Sequence, residues 1–208
     1  HFALYFLPLL FGYFMSSVFH HEWYFWKNPK FWFLVLFAGG LFAFRSTLTY
    51  YINDYLTANV AYEHLDWLRS IVGTVIRGGF LFIAIWAYWY FTDKKEQPFY
   101  GFTLKNFNTR PYFIMLLIMV PLIAAASTQA DFLSSYPRVQ KMLSLDFTNS
   151  EHWKHFALYE VLYGLDFFSI EFFFRGFLIL AFVGTVGPKA ILPMAYMYVV
   201  IHWNKPMG

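Results

Sequence analysis

The segment SIEFFFRGFL, residues 169–178, decides how this chain is interpreted, because it places a glutamate and an arginine inside an otherwise apolar stretch. An ionisable side chain near the centre of a bilayer costs about 2.5–3.5 kcal/mol on insertion scales, so such residues usually have a function. Glu171 precedes Arg175 by four positions, which puts both side chains on one helix face with the acid before the base. The segment therefore predicts either a functional carboxylate with its counter-ion or a structural ion pair between helices.

The chain as a whole has the composition of a membrane protein. Hydrophobic residues make up 59% of the sequence and charged residues 13%, and the apolar residues form long blocks. The aromatic fraction of 25% includes Trp and Tyr clusters at block ends, where amphipathic rings suit the headgroup level. The net charge of +3 comes from Lys and Arg beside the apolar blocks, a pattern that fits anionic lipid and does not indicate nucleic-acid binding.

The apolar blocks predict an all-α, polytopic transmembrane helical bundle with about six spans. A helix needs about 20 apolar residues to cross the hydrocarbon core. The predicted spans are residues 1–19, 31–48, 70–91, 111–130, 156–184 and 190–203. Because the sequence starts in one apolar block and stops directly after another, we expect it to be a fragment of a longer protein.

Basic residues predict how the bundle is oriented. The polar segment 92–110 carries Lys94, Lys95, Lys105 and Arg110, so the positive-inside rule places it on the cytoplasmic side. Alternation of the spans then puts the segments around Lys30 and Lys189 on that same side.

The turn between the last two spans predicts a polar site at membrane depth. Residues 184–188, GTVGP, are rich in helix-stopping residues, so the flanking spans should form an antiparallel pair. Glu171 and His202 lie about equally far from this turn and should therefore sit at equal depth. A carboxylate facing an imidazole can polarise water, although His202 also fits an interfacial histidine beside Trp203.

Two motifs in these spans resemble the CAAX-protease and bacteriocin-processing (CPBP, or Abi) family of intramembrane endopeptidases. The family motifs are Glu-Glu-x-x-x-Arg, commonly followed by Gly, and Phe-x-x-x-His in the next helix. Residues 171–176, EFFFRG, match the second Glu, the Arg and the Gly, and residues 198–202, YVVIH, match the second motif with Tyr in place of Phe. The resemblance covers about residues 110–204.

The resemblance implies a function and a division of the chain. It implies peptide or prenyl-peptide substrates, a bacterial-type inner membrane location, and Glu171 and His202 as water activators, with Arg175 keeping Glu171 ionised. The implied regions are N-terminal transmembrane helices in residues 1–109 and a CPBP-like core in residues 110–208, with the third family motif beyond the end of the sequence. We expect the lipid bilayer as a partner, and we expect no cofactor and no metal.

One departure from the family pattern supports a different class of function. Ile170 stands where the family has its first glutamate, the residue thought to activate water. Glu171 would have to take that role from a position about 100° around the helix. The alternative is a non-catalytic, CPBP-like scaffold or accessory subunit of a larger membrane assembly.

Other polar residues carry weaker hypotheses. His152 and His155, with Glu151 nearby, have a spacing that either holds a metal or forms a polar helix start at the interface. Arg45 and Arg77 fit snorkelling side chains, and the deeper Arg77 could instead pair with an acidic group, either Asp166 or Glu160.

The fifth span also shows a helical repeat that predicts which face points inward. Six residues recur at helical spacing, and we expect their polar members to be directed into the bundle: Glu160, Gly164, Phe167, Glu171, Arg175 and Leu178.

Overall fold

The computed structural model describes residues 2–103, 108–135 and 152–202, and every regular element within these ranges is helical. The α-helices are α1 Phe2–His20, α2 Pro29–Asn59, α3 Tyr62–Tyr88, α4 Arg110–Ala126, α5 Ala130–Ser135, α6 His152–Glu171, α7 Leu178–Val186 and α8 Ile191–His202. Helix α3 continues into a π-helical turn, Trp89–Asp93, and α6 is joined to α7 by another, Phe172–Phe177. The predicted all-α class is confirmed.

The helices have the lengths and hydropathy of membrane spans. Within the described residues, four stretches are long and apolar enough to cross a bilayer: Phe2–His20, Pro29–Asn59, His64–Asp93 and Trp153–His202. The last stretch contains 50 residues and is broken by the turn Gly187–Ala190, and α4 is a shorter apolar helix. The chain is therefore a membrane-embedded helical bundle, and its spans agree broadly with the six predicted from the sequence.

The described residues divide into two compact units. Residues up to Phe102 and from Glu160 onward form the first unit, and residues from Thr103 to Tyr159 belong to the second. The second unit contains α4, α5 and the first turns of α6. The division at residues 109 and 110 that the family resemblance implies stays a prediction.

The first unit is held together by aromatic packing between helices. Helix α1 packs against α2 and α8, and α2 also packs against α3 and α7. The ring of Tyr13 in α1 stacks on Phe182 in α7 at 5.2 Å, and Phe42 in α2 lies 4.7 Å from Phe173. All four rings are buried, so the high aromatic content supplies the core of the bundle as well as its surface.

Ion pairs hold three loops together at one end of this unit. Lys30, at the start of α2, lies 3.2 Å from Asp93, which follows α3. Lys189, in the turn before α8, pairs with Glu22, which follows α1. These contacts agree with the alternation of spans expected from the sequence, while the assignment of this end to the cytoplasm stays a prediction.

Candidate functional site

The turn after α7 brings the two predicted motifs together. Gly187 has a φ of 65°, a left-handed conformation that strains any residue with a Cβ, and the chain reverses there into α8. Glu171 ends α6, Arg175 lies in the π-helical turn that follows, and His202 ends α8. Such π-helical turns occur often at functional sites because they re-aim side chains that a regular helix would direct elsewhere.

Tyr198 links Glu171 to the opposite helix. Its hydroxyl donates a hydrogen bond of 3.0 Å to Oε1 of Glu171. The other carboxylate oxygen, Oε2, lies 2.7 Å from Nε of Arg175, yet this ion contact is not aligned as a hydrogen bond and leaves Oε2 buried without one. The Glu171 side chain is 33% exposed and that of Arg175 is 71% exposed, so the cation covers the carboxylate from the outside.

His202 contacts the same tyrosine from four positions further along α8. Its Nδ1 lies 2.8 Å from the carbonyl oxygen of Tyr198, and the two rings stack with their centres 4.5 Å apart. With the proton on Nδ1, the imidazole donates to that carbonyl and keeps the lone pair of Nε2 as an acceptor. Among the described residues, Glu171 and His202 share Tyr198 as a neighbour and make no hydrogen bond to each other.

The predicted inward direction is wrong for two of the three polar residues on one helix face, Glu160 and Arg175, while Glu171 is half-buried. Phe167 is 52% exposed, Glu160 is exposed, and Arg175 projects outward. The four-residue spacing correctly predicts that Glu171 and Arg175 meet, but it carries no information about which face is buried. The phenylalanines of the π-helical turn are buried instead, because burying their large apolar rings is more favourable than burying polar side chains. They are Phe172, Phe173, Phe174 and Phe177.

A second polar cluster lies on another face of α6. Nη2 of Arg45 is 2.9 Å from Oδ1 of Asp166, and Nη2 of Arg77 is 3.8 Å from Oδ2. The suggested pairing of Arg77 with Asp166 is therefore confirmed. The pairing of Arg45, which we expected to snorkel, was missed because 121 residues separate it from Asp166 and no local pattern connects them.

A third polar group fixes the segment after α3. Tyr100 is buried, and its hydroxyl donates a 2.7 Å hydrogen bond to Oδ2 of Asp93. Burial raises the pKa of the Tyr100 hydroxyl well above its usual value, and the hydrogen bond to the Asp93 carboxylate raises it further. Because both side chains are buried and bonded to each other, this pair is a structural anchor.

The histidine pair of the sequence falls partly outside the described ranges. Glu151 is not among the described residues, and only the backbone of His152 is. Over the residues that the structure does describe, no three His, Asp or Glu side chains come together as a metal site.

Comparison with known proteins gives no assignment. No family model, no curated protein and no solved structure matches this chain.

Proposed function

We propose that this protein is an intramembrane peptidase of the CPBP type that cleaves peptide or prenyl-peptide substrates near the surface of a bacterial inner membrane. The supporting observation is that Tyr198 contacts both Glu171 and His202, so a carboxylate and an imidazole approach one ring from two helices. Arg175 and His202 are both exposed, so the site lies at a surface where a substrate can arrive from the bilayer.

Each group has a chemical role in this proposal. Glu171 accepts a proton from water as the water oxygen attacks the scissile carbonyl carbon. His202 accepts a hydrogen bond from this water at Nε2 and orients it, and Glu171 passes the proton that it took from the water to the departing amine nitrogen. Tyr198 is a positioning residue, because its hydroxyl holds the carboxylate and its backbone carbonyl orients the imidazole.

Arg175 regulates access to the carboxylate. Its guanidinium covers the buried Oε2, and because the side chain is mostly exposed it can move away without disturbing the core. An exposed ion pair contributes about 0–1 kcal/mol to stability, so Arg175→Ala should fold. The expected loss of stability is smaller than the loss from a fully buried ion pair when one partner is removed.

The test measures peptide cleavage and detergent melting temperature for the same set of variants. Glu171→Gln removes the base and keeps the shape of the side chain, so it should abolish cleavage and leave the protein folded. Glu160→Gln, an exposed glutamate of the same helix, is the matched control and should cleave like the parent. If folded Glu171→Gln cleaves as fast as the parent, the role assigned to Glu171 is wrong.

A second candidate function is a non-catalytic scaffold of a larger membrane assembly. Ile170 favours it, because the position that carries the first glutamate in the family motif here packs against the apolar core. The Glu171 carboxylate is also engaged by both Tyr198 and Arg175, as in an interhelical clamp. In that case the parent cleaves no peptide, and Glu171→Gln weakens the retention of partner subunits during purification from its own host membrane.

A further inference from the structure

The cluster of Arg45, Arg77 and Asp166 contains two positive charges and one negative charge. Asp166 and Glu171 are five positions apart, which separates their side chains by about 140° around the helix, so the cluster is distinct from the candidate catalytic site. One carboxylate faces two guanidinium groups, and the side chains are 22%, 13% and 17% exposed for Asp166, Arg45 and Arg77. The cluster therefore keeps one unneutralised positive charge between apolar helices, where an uncompensated charge is costly.

Several donors of the two arginines also lack a good acceptor. Nε of Arg45 is buried and has no hydrogen-bond partner among the residues that the structure describes. Arg77 makes a hydrogen bond of 3.5 Å to Thr74, at the long limit for such a bond, and its distance of 3.8 Å to Asp166 is beyond one. Buried polar groups are normally satisfied, so this cluster has room for a further acceptor.

An apolar cavity of about 200 Å³ lies beside the cluster, between α3 and α6. Its lining residues are Thr74, Val75, Gly78, Gly79, Phe82, Leu162 and Leu165. Two of these lining residues connect the cavity to the charged cluster. Thr74 accepts a hydrogen bond from Arg77, and Leu165 directly precedes Asp166 in α6. Glycine at position 79 leaves open space where a side chain would otherwise project.

We propose that this cavity binds the carboxylate end of an apolar molecule, with the anion on Arg77 and the tail among the apolar lining residues. A single negative charge on the ligand would neutralise the cluster. Its carboxylate oxygens would accept hydrogen bonds from the arginine N–H groups that Asp166 does not bind. The volume is below that of a typical drug-sized pocket, about 300–1,000 Å³, so the site suits a short tail. Two sources share this chemistry: a free fatty acid, and the C-terminal residue of an apolar peptide.

The first experiment measures saturable binding of radiolabelled decanoate to the purified protein in detergent by scintillation proximity. The parent should bind, and Arg77→Gln should bind at least about tenfold more weakly, since a charged hydrogen-bonded contact is lost. Arg69→Gln, a half-buried arginine of the same helix that pairs with Asp66, is the matched control and should bind like the parent.

Competing ligands distinguish the contribution of the carboxylate from that of the apolar tail, and they show whether a fatty acid or a peptide binds. Unlabelled decanoate should displace the label and decanol should not, because decanol has no anion. An acetylated apolar dipeptide is then tested as its free acid and as its amide. Displacement by the free acid but not by the amide identifies a peptide carboxylate as a ligand, and failure of both restricts the site to fatty acids.

A second variant keeps the proposal testable if Arg77→Gln does not fold. Gly79→Leu leaves all charges in place and fills the cavity, so it should remove decanoate binding from a folded protein. The proposal is overturned if the parent shows no saturable binding, if folded Arg77→Gln or Gly79→Leu binds like the parent, or if decanol competes as well as decanoate.

Discussion

The hydroxyl of Tyr198 donates a hydrogen bond of 3.0 Å to Oε1 of Glu171, and this single bond ties α8 to the end of α6. Tyr198→Phe removes the hydroxyl and keeps the ring that stacks on His202. A hydrogen bond of this kind contributes about 1 kcal/mol, so the variant should melt at a lower temperature in detergent. Tyr196→Phe on the same helix is the control, and equal melting of the two variants would contradict a stabilising role for the bond.

The two arginines beside Asp166 should differ in their effect on stability. Arg45 makes the short contact of 2.9 Å, so Arg45→Gln loses a charged hydrogen bond between two mostly buried side chains and should cost about 1.5–3 kcal/mol. Arg77 lies 3.8 Å away, and Arg77→Gln removes the spare positive charge, so its cost should be within about 1 kcal/mol. Unfolding in a denaturing-detergent titration measures both, and a larger loss for Arg77→Gln would reverse this assignment.

Close packing of α1 on α8 should make Gly12 sensitive to a single methyl group. A Cβ at position 12 would lie 2.7 Å from Cα of Pro193, so the helices must separate to accept it. Gly12→Ala should therefore destabilise the protein by about 1–3 kcal/mol. Gly40→Ala in α2 meets nothing within 4 Å and should be neutral or stabilising, which makes it the matched control in a melting experiment.

Stability at high pH should depend on Tyr100. Because the folded state raises its pKa above the unfolded value, Tyr100 contributes stability that is complete below about pH 10 and is lost as the pH rises further. The melting temperature of the parent should therefore fall towards that of Tyr100→Phe as the pH rises from about 10 to about 12. Tyr90→Phe, an exposed tyrosine, is the control, and a constant difference between the parent and Tyr100→Phe across this range would contradict the prediction.

Membrane sidedness can be tested with single cysteines, because this sequence contains none of its own. In a bacterial expression host, a cysteine at Lys95, which is exposed beside the Lys30–Asp93 pair, should react with an impermeant thiol reagent only after the host's inner membrane is opened. A cysteine at Tyr62, which is 90% exposed at the start of α3, should react in intact spheroplasts. The reverse pattern would invert the predicted orientation.

The candidate site shows which relationships could be predicted and which could not. The i, i+4 spacing of Glu171 and Arg175 predicted their contact because a helix repeats every 3.6 residues. The turn at residues 184–188 predicted that Glu171 and His202 would lie at equal depth, which stays a prediction, and it gave no indication that Tyr198 would contact both. The tyrosine that replaces the phenylalanine of the resembled motif carried the only indication in the sequence, since its hydroxyl needs a partner when it is half-buried.

The sequence by itself determined that this is a helical membrane protein, because hydrocarbon accepts only backbone that is fully hydrogen-bonded and the apolar blocks have spanning length. Only the tertiary structure decided which faces are buried. The phenylalanines after Glu171 occupy the interior and turn Arg175 outward, while Asp166 meets Arg45 from a helix far away in the chain. Side-chain burial depends on the shapes of all neighbouring helices at once, and that information is not contained in the periodicity of any one of them.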